Sequence, residues 1–175
     1  LHTHPGMFMA PGWPGYSGQE GIDKTLNDMK SARLSGGFFS LVADLPNIRR
    51  GEKGIEAGKP YGPGEAWAEY ERQLKVFRVL SSQRNINLIK NRSDLKNLSA
   101  EKPAVLLAIE GGDFIEDEIS RLERMYEDGV RSVQLVHYVP NKIGDLQTAA
   151  EVHHGLSATG KEVVKTMNRY GMIID

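Results

Sequence analysis

No cysteine occurs among the 175 residues, which excludes a disulfide scaffold, a thiolate zinc site and a cysteine nucleophile. Either redox compartment suits such a chain. No apolar run approaches the roughly 18 residues of a membrane span, and no basic stretch followed by a continuous apolar one marks a secretory signal near the N-terminus. Targeting and location stay open. Charge of one sign is lacking too: 22 Lys and Arg stand against 23 Asp and Glu, a net charge of −1, with the basic residues scattered among the acids. A nucleic-acid binder is disfavoured, because its footprint is clustered Lys and Arg. With 39% apolar residues the chain reads as one globular domain over 1–175. It begins at Leu1 without a Met and stops at Asp175 directly after Met172-Ile173-Ile174, the pattern expected of a fragment cut at the end of a strand.

There is no internal repeat and no low-complexity tract. Strand-like and helical patterns alternate instead. Leu1 to His4 is extended, and a helix from about Gln19 to Leu34 opens on a Ser17/Glu20 capping box and closes at Gly36-Gly37. Phe38 to Ala43 is a strand, followed by a Gly- and Pro-rich loop from about Asp44 to Gly64, long enough for a lid or flap. A helix over Glu65 to Gln83 carries Trp67, Tyr70, Leu74 and Phe77 at helical spacing. Then come a short strand Ile86 to Ile89, a short helix after Ser93, and the continuous apolar strand Ala104 to Ile109. A helix Ile119 to Glu127 closed by Gly129, a strand Val130 to Val136, a helix from Ser157 to Tyr170 closed by Gly171, and a strand Met172 to Ile174 complete the order. Strands alternating with helices, without hairpin signals, predict an α/β fold with a parallel sheet and right-handed crossovers. A (β/α)8 barrel of TIM type spends roughly 31 residues per unit, so this length covers about the first five β/α units, matching five principal strands.

His2 and His4 stand two apart on a strand, so they point to one side and can hold one metal ion. Asp44, Glu110, His137 and Asp175 end the other apolar strands, and in a parallel barrel those ends converge on the catalytic face. Imidazole and carboxylate without thiolate suits a hydrolytic zinc or related divalent site. Each residue also has a structural reading: Glu110 as a charge entering the Gly111-Gly112 loop, His137 as a hydrogen-bonded histidine near the sheet edge, Asp44 as a turn cap, and His153-His154 as solvent-facing. Gly155-Leu156-Ser157-Ala158-Thr159 fails as a nucleophile elbow because Thr159 replaces the last Gly. Gly155 to Lys161 fails as a phosphate loop because Glu162 stands where Ser or Thr must reach Mg²⁺, which leaves a Ser-capped helix start.

Four segments carry a family resemblance: Ala108-Ile109-Glu110-Gly111-Gly112, Gly129-Val130-Arg131 to Leu135-Val136-His137, Gly155-Leu156-Ser157, and Val163-Val164 through Met167 to Asp175. Together they make the chain from Ala104 onward resemble the membrane (renal-type) dipeptidases, peptidase family M19 of the amidohydrolase superfamily. The resemblance implies a (β/α)8 barrel, two Zn²⁺ ions and hydrolysis of small dipeptides by a metal-bridged hydroxide; the apolar pattern gives no transmembrane segment in this chain, and a homodimer is an open assembly. By position it implies that His2 and His4 bind metal, that Glu110 bridges both ions, and that His137 is catalytic, contacting the substrate and the tetrahedral intermediate. The family usually has His-x-Asp in its first strand; His4 occupies the Asp position here. That change keeps metal binding, since His-x-His is common across the superfamily, and weakens the inference to dipeptides. Two further histidines and an aspartate base are implied beyond Asp175. Leu1-His2-Thr3-His4 also resembles the first-strand motif of polymerase-and-histidinol-phosphatase phosphoesterases, and a barrel without chemistry is the non-enzymatic alternative.

Overall fold

The computed structural model describes residues 2–4, 18–52 and 54–175. Ser17, half of the expected capping box, lies outside them. Strand β1 (His2–Thr3) precedes helix α1 (Gly18–Ser31), which is followed by β2 (Gly36–Val42). The remaining order is β3 (Ile48–Gly51), β4 (Gly54–Ala57), α2 (Glu65–Gln83), β5 (Asn87–Leu88), β6 (Ala104–Glu110), α3 (Ser120–Asp128), β7 (Val130–Val133), α4 (Ala158–Tyr170) and β8 (Ile173–Ile174). Among the described residues, no helix is long and apolar enough to cross a membrane.

Six strands form one parallel sheet whose path runs β1-β2-β6-β7-β8. Along this five-strand path the strand order follows chain order without reversal, as it does in a closing barrel and does not in a doubly wound sheet. The fold is α/β of the (β/α)8-barrel type. The five-strand path agrees with the five principal strands read from the sequence. The sixth strand, β5, pairs Asn87 with Ala104 and Leu88 with Val105, sharing with β7 the edge of β6 that β2 leaves free.

Register separates the two faces. Paired residues share a face, so Phe39 with Leu107, and Leu41 with Ile109 and Val133, form one set of fully or almost fully buried side chains in the main hydrophobic core. Helix α2 belongs to the same core through Ala66, Tyr70, Leu74, Phe77 and Leu80, an apolar stripe at a 3.6-residue period. The other face holds the small trio Ser40, Ala108 and Ser132 in one row, with Val42 and Glu110 in the next. Among the described residues β1 reaches only Phe38 and Phe39, and further along the same strand Gln73 from α2 takes over: its Oε1 accepts from Val42 N at 3.1 Å and its Nε2 donates to Val42 O at 2.9 Å. Buried polar backbone needs such partners.

Three expectations change. The stretch after Asp44 is not a plain loop: a 3₁₀ turn (Leu45–Asn47) leads into an antiparallel hairpin in which Ile48 pairs with Ala57 and Gly51 with Gly54. Its strands carry Arg49, Arg50 and Glu56 and are largely exposed, so no buried face impresses an apolar alternation on them. β7 ends at Val133, not Val136; Gln134 N still donates to Ile109 O and Leu135 N to Asp175 O, but the regular ladder stops as the chain turns toward His137. Asp44 does not cap the 3₁₀ turn with its side chain, because its carboxylate is engaged elsewhere. The Ser-capped start of α4 holds: Ser157 accepts from Gly160 N at 2.9 Å.

Candidate metal centre

The C-terminal ends of β1, β2, β6 and β7 bring the sequence-identified residues together. His2 Nε2 and His4 Nε2 stand 2.9 Å apart, His4 Nε2 is 2.7 Å from Glu110 Oε2, and His2 Nε2 is 3.4 Å from Glu110 Oε1. Ligands held at about 2.0–2.1 Å by one tetrahedral ion lie roughly 3.3 Å from each other. At 2.7–3.4 Å the three donors are grouped closely enough to turn to one divalent ion, and two imidazoles with a carboxylate are chemically suited to hold it.

Burial opposes ionisation of Glu110, but the hydrogen bond from His4 and the charges of His4, His137 and His2 outweigh it and hold the carboxyl below its ordinary value. The carboxylate form, the one a metal needs, is thereby favoured. His137 sits beside this group, with Nε2 3.8 Å from Glu110 Oε1. Its other nitrogen, Nδ1, is 2.7 Å from Asp44 Oδ1. Burial of the His137 ring favours its neutral form; the hydrogen bond and charge of Asp44, with the charges of Glu110 and Asp113, prevail and raise its pKa.

The Gly111-Gly112 pair makes this convergence possible. A Cβ on Gly111, which has φ of 94°, would meet Asp113 Oδ2 at 2.9 Å and both Ala43 Cβ and His137 Cβ at 3.3 Å. One on Gly112 would lie 2.6 Å from Leu135 O. Only a backbone without side chains lets the end of β6 approach the His137 segment this closely.

A cavity of about 570 Å³ opens onto His4, Glu110 and His137, and the hairpin supplies one wall through Ile48, Arg50 and Ile55. A second, of about 430 Å³, lies against Glu110, Gln134 and His137. His153 and His154 are exposed, in keeping with the solvent-facing expectation. Asp175 is exposed as well, bonded through its backbone to Val133 and Leu135. Sequence reasoning missed the partner role of Asp44 and the walls supplied by Arg50 and Gln134. A polar residue ending a buried strand was the available signal for Asp44, and the Gly51-x-x-Gly54 spacing was the signal for the hairpin.

A parallel barrel-type sheet bearing an imidazole and carboxylate cluster at its strand ends defines the class, an α/β barrel with the donor set of a metallohydrolase. Residues 14–175 match the family model of membrane dipeptidase, and the chain belongs to that family, peptidase family M19. Dipeptidase aclJ of Aspergillus oryzae is 32% identical over 149 residues, covering 75% of this chain and 35% of that protein. An amidohydrolase structure from Pseudomonas aeruginosa superposes with a TM-score of 0.68 at 19% identity, covering 87% of this chain and 41% of its own. A metallo peptidase from Rhodobacter sphaeroides, solved with a phosphinate mimic of the dipeptide L-Ala-D-Ala, gives 0.67 at 15% identity, covering 87% and 48%. At those identities the structural likeness is one of fold. The chain spans about a third of the length of the Aspergillus relative.

Proposed function

We propose that the complete protein is a metallo-dipeptidase that uses two Zn²⁺ ions, with His2 and His4 as ligands of one ion, Glu110 bridging both and His137 acting on the substrate. The observation that carries this reading is the meeting of His2, His4 and Glu110 within ligand spacing beside His137, at the mouth of the 570 Å³ cavity. A divalent ion bound there supplies Lewis acidity, lowering the pKa of water toward about 7 and polarising the scissile carbonyl.

The chain's own residues do the rest. Glu110, held as a carboxylate by the imidazoles around it, offers two oxygens facing different partners, Oε2 toward His4 and Oε1 toward His2 and His137. That division suits a bridging ligand. His137, kept protonated more readily by Asp44 and Glu110, offers Nε2–H to the carbonyl oxygen as negative charge develops on it, a contribution of roughly 3 kcal/mol for one well-placed donor. The cavity wall of Val42, Leu45, Ile48 and Ile55 excludes water from one side of a small amide, and Arg50 places a cation on the same wall.

The test is hydrolysis of a dipeptide panel by the complete protein, with zinc content measured before and after chelation and re-addition. Turnover that is lost on chelation and restored by Zn²⁺ is expected. Hydrolysis of a phosphomonoester with no dipeptide turnover would replace this reading with the phosphoesterase one, and a protein with neither activity would be a non-catalytic barrel.

A further inference from the structure

Asp44 and His137 are 93 positions apart in the chain and belong to different strand ends, yet they share the most enclosed polar contact of the site. Asp44 is fully buried, and both its oxygens are used: Oδ1 faces His137 Nδ1 at 2.7 Å, while Oδ2 accepts the backbone N–H of Tyr138 at 2.8 Å and of Val139 at 2.9 Å. The backbone amides can only donate, and a carboxylate can only accept. The proton in the Asp44–His137 contact therefore sits on Nδ1, and Nε2 is the nitrogen left for the cavity, 3.8 Å from Glu110 Oε1. Because the same carboxylate grips the two residues that follow His137, it fixes the ring and the backbone carrying it as one unit.

We propose that Asp44 is a positioning residue for His137: it locks the imidazole with Nδ1 protonated and Nε2 directed to the reacting centre, and it contributes to turnover only through that ring. This rests on the role given to His137 above. A purely architectural Asp44, tying the segment after β2 to the segment after β7, would make the same backbone contacts and leave the tautomer without consequence.

Asp44→Asn separates the two. The Asn carbonyl still accepts from Tyr138 and Val139, but its amide now presents a donor to Nδ1, so the Nδ1–H bond to the carboxylate that orients the ring is lost. In long-range ¹H–¹⁵N spectra of the ¹⁵N-histidine-labelled complete protein, wild-type His137 is expected to show a protonated Nδ1. In Asp44→Asn the Nδ1 proton should be lost. The variant should lose roughly 10- to 100-fold in kcat, the usual cost of removing the carboxylate behind a functional histidine, with KM and bound zinc within about twofold of wild type. Added to His137→Ala, the same substitution should cost nothing more, because residues acting through one group are non-additive.

A wild-type His137 found with a bare Nδ1 overturns the proposal without any variant, and so remains decisive if Asp44→Asn fails to fold. An Asp44→Asn protein with a bare Nδ1 and undiminished kcat overturns it as well. So does a further loss of kcat on top of His137→Ala, which marks a structural role. The spectra need no turnover: a wild-type protein that hydrolyses no dipeptide sinks the peptidase reading, while the tautomer result still decides the lock.

Discussion

His4, just past the end of β1, and Glu110 on β6 touch at 2.7 Å although β2 lies between the two strands. Two strand spacings put those backbones about 9.6 Å apart. Side chains from a common face close that distance, and the curvature of a barrel-type sheet turns both inward. Curvature and register together make a cluster from residues 106 positions apart, so the cluster belongs to the sheet and not to a local motif.

Glu110→Ala removes the carboxylate that His2, His4 and His137 all face. Metal occupancy and activity of the complete protein are expected to fall together. Zinc stoichiometry by elemental analysis, beside kcat on a dipeptide panel, checks this, and a Glu110→Ala protein retaining two ions would remove Glu110 from the ligand set.

His137→Ala is expected to behave differently, because Nε2 lies 3.8 Å from Glu110 Oε1 and outside the tight His2, His4 and Glu110 group. Zinc content should be unchanged while kcat drops roughly 10²- to 10³-fold, the cost of one missing oxyanion donor. Loss of the ions in this variant would make His137 a ligand instead, and full activity would take it out of the chemistry.

Legibility followed burial. The Ala104 to Ile109 run is apolar at every position because both its faces are covered, and it is β6 to within one residue. Helix α2 has the bounds read from its apolar stripe, since a 19-residue helix half in the core repeats its signal several times. Glu110 was legible for a related reason, as a chemistry-bearing residue at the end of such a run, and His2 and His4 were legible from their two-residue spacing on a strand. The hairpin was not, because apart from Ile48, which packs against the core, its strand residues are largely exposed and show no apolar alternation. The role of Asp44 was hidden for want of a local cause: its three donors come from residues 137–139, and only the folded sheet brings them within reach.

Gly160 lies in the first turn of α4, where Ala would ordinarily gain up to about 1 kcal/mol of helix propensity. A Cβ at this position would fall 1.9 Å from Ile143 O, and that carbonyl is already fixed by accepting from Ser157 N at 3.0 Å. Gly160→Ala should therefore destabilise by roughly 1–3 kcal/mol, the scale of overpacking. Urea unfolding of the complete protein checks the sign, and a stabilised variant would show that α4 does not press on the Ile143 segment.

Asp113 supplies a pH dependence opposite in sign to that of Glu110, whose carboxyl is held below its ordinary value. It lies at the Gly111-Gly112 turn at 7% exposure, and Asn141 Nδ2 makes a long 3.4 Å contact with its carboxyl. Burial, then the neighbouring negative charge of Asp44, pushes its carboxyl up to about 7. The folded protein thus keeps a proton that the unfolded chain releases near pH 4, and between those values the native state binds more protons. Its contribution to stability is fully present below about pH 4 and is lost as pH rises through about 7. Asp113→Asn removes this titration while keeping the shape. At pH 8 the variant should exceed wild type by roughly 2–4 kcal/mol, given about 1.4 kcal/mol per pKa unit, and the gain should shrink steadily toward pH 4.5. Urea midpoints of the two proteins across that range are the measurement. A difference that stays constant with pH would mean that Asp113 is ionised in the folded protein at every pH tested, and that Asp44 and burial do not govern it.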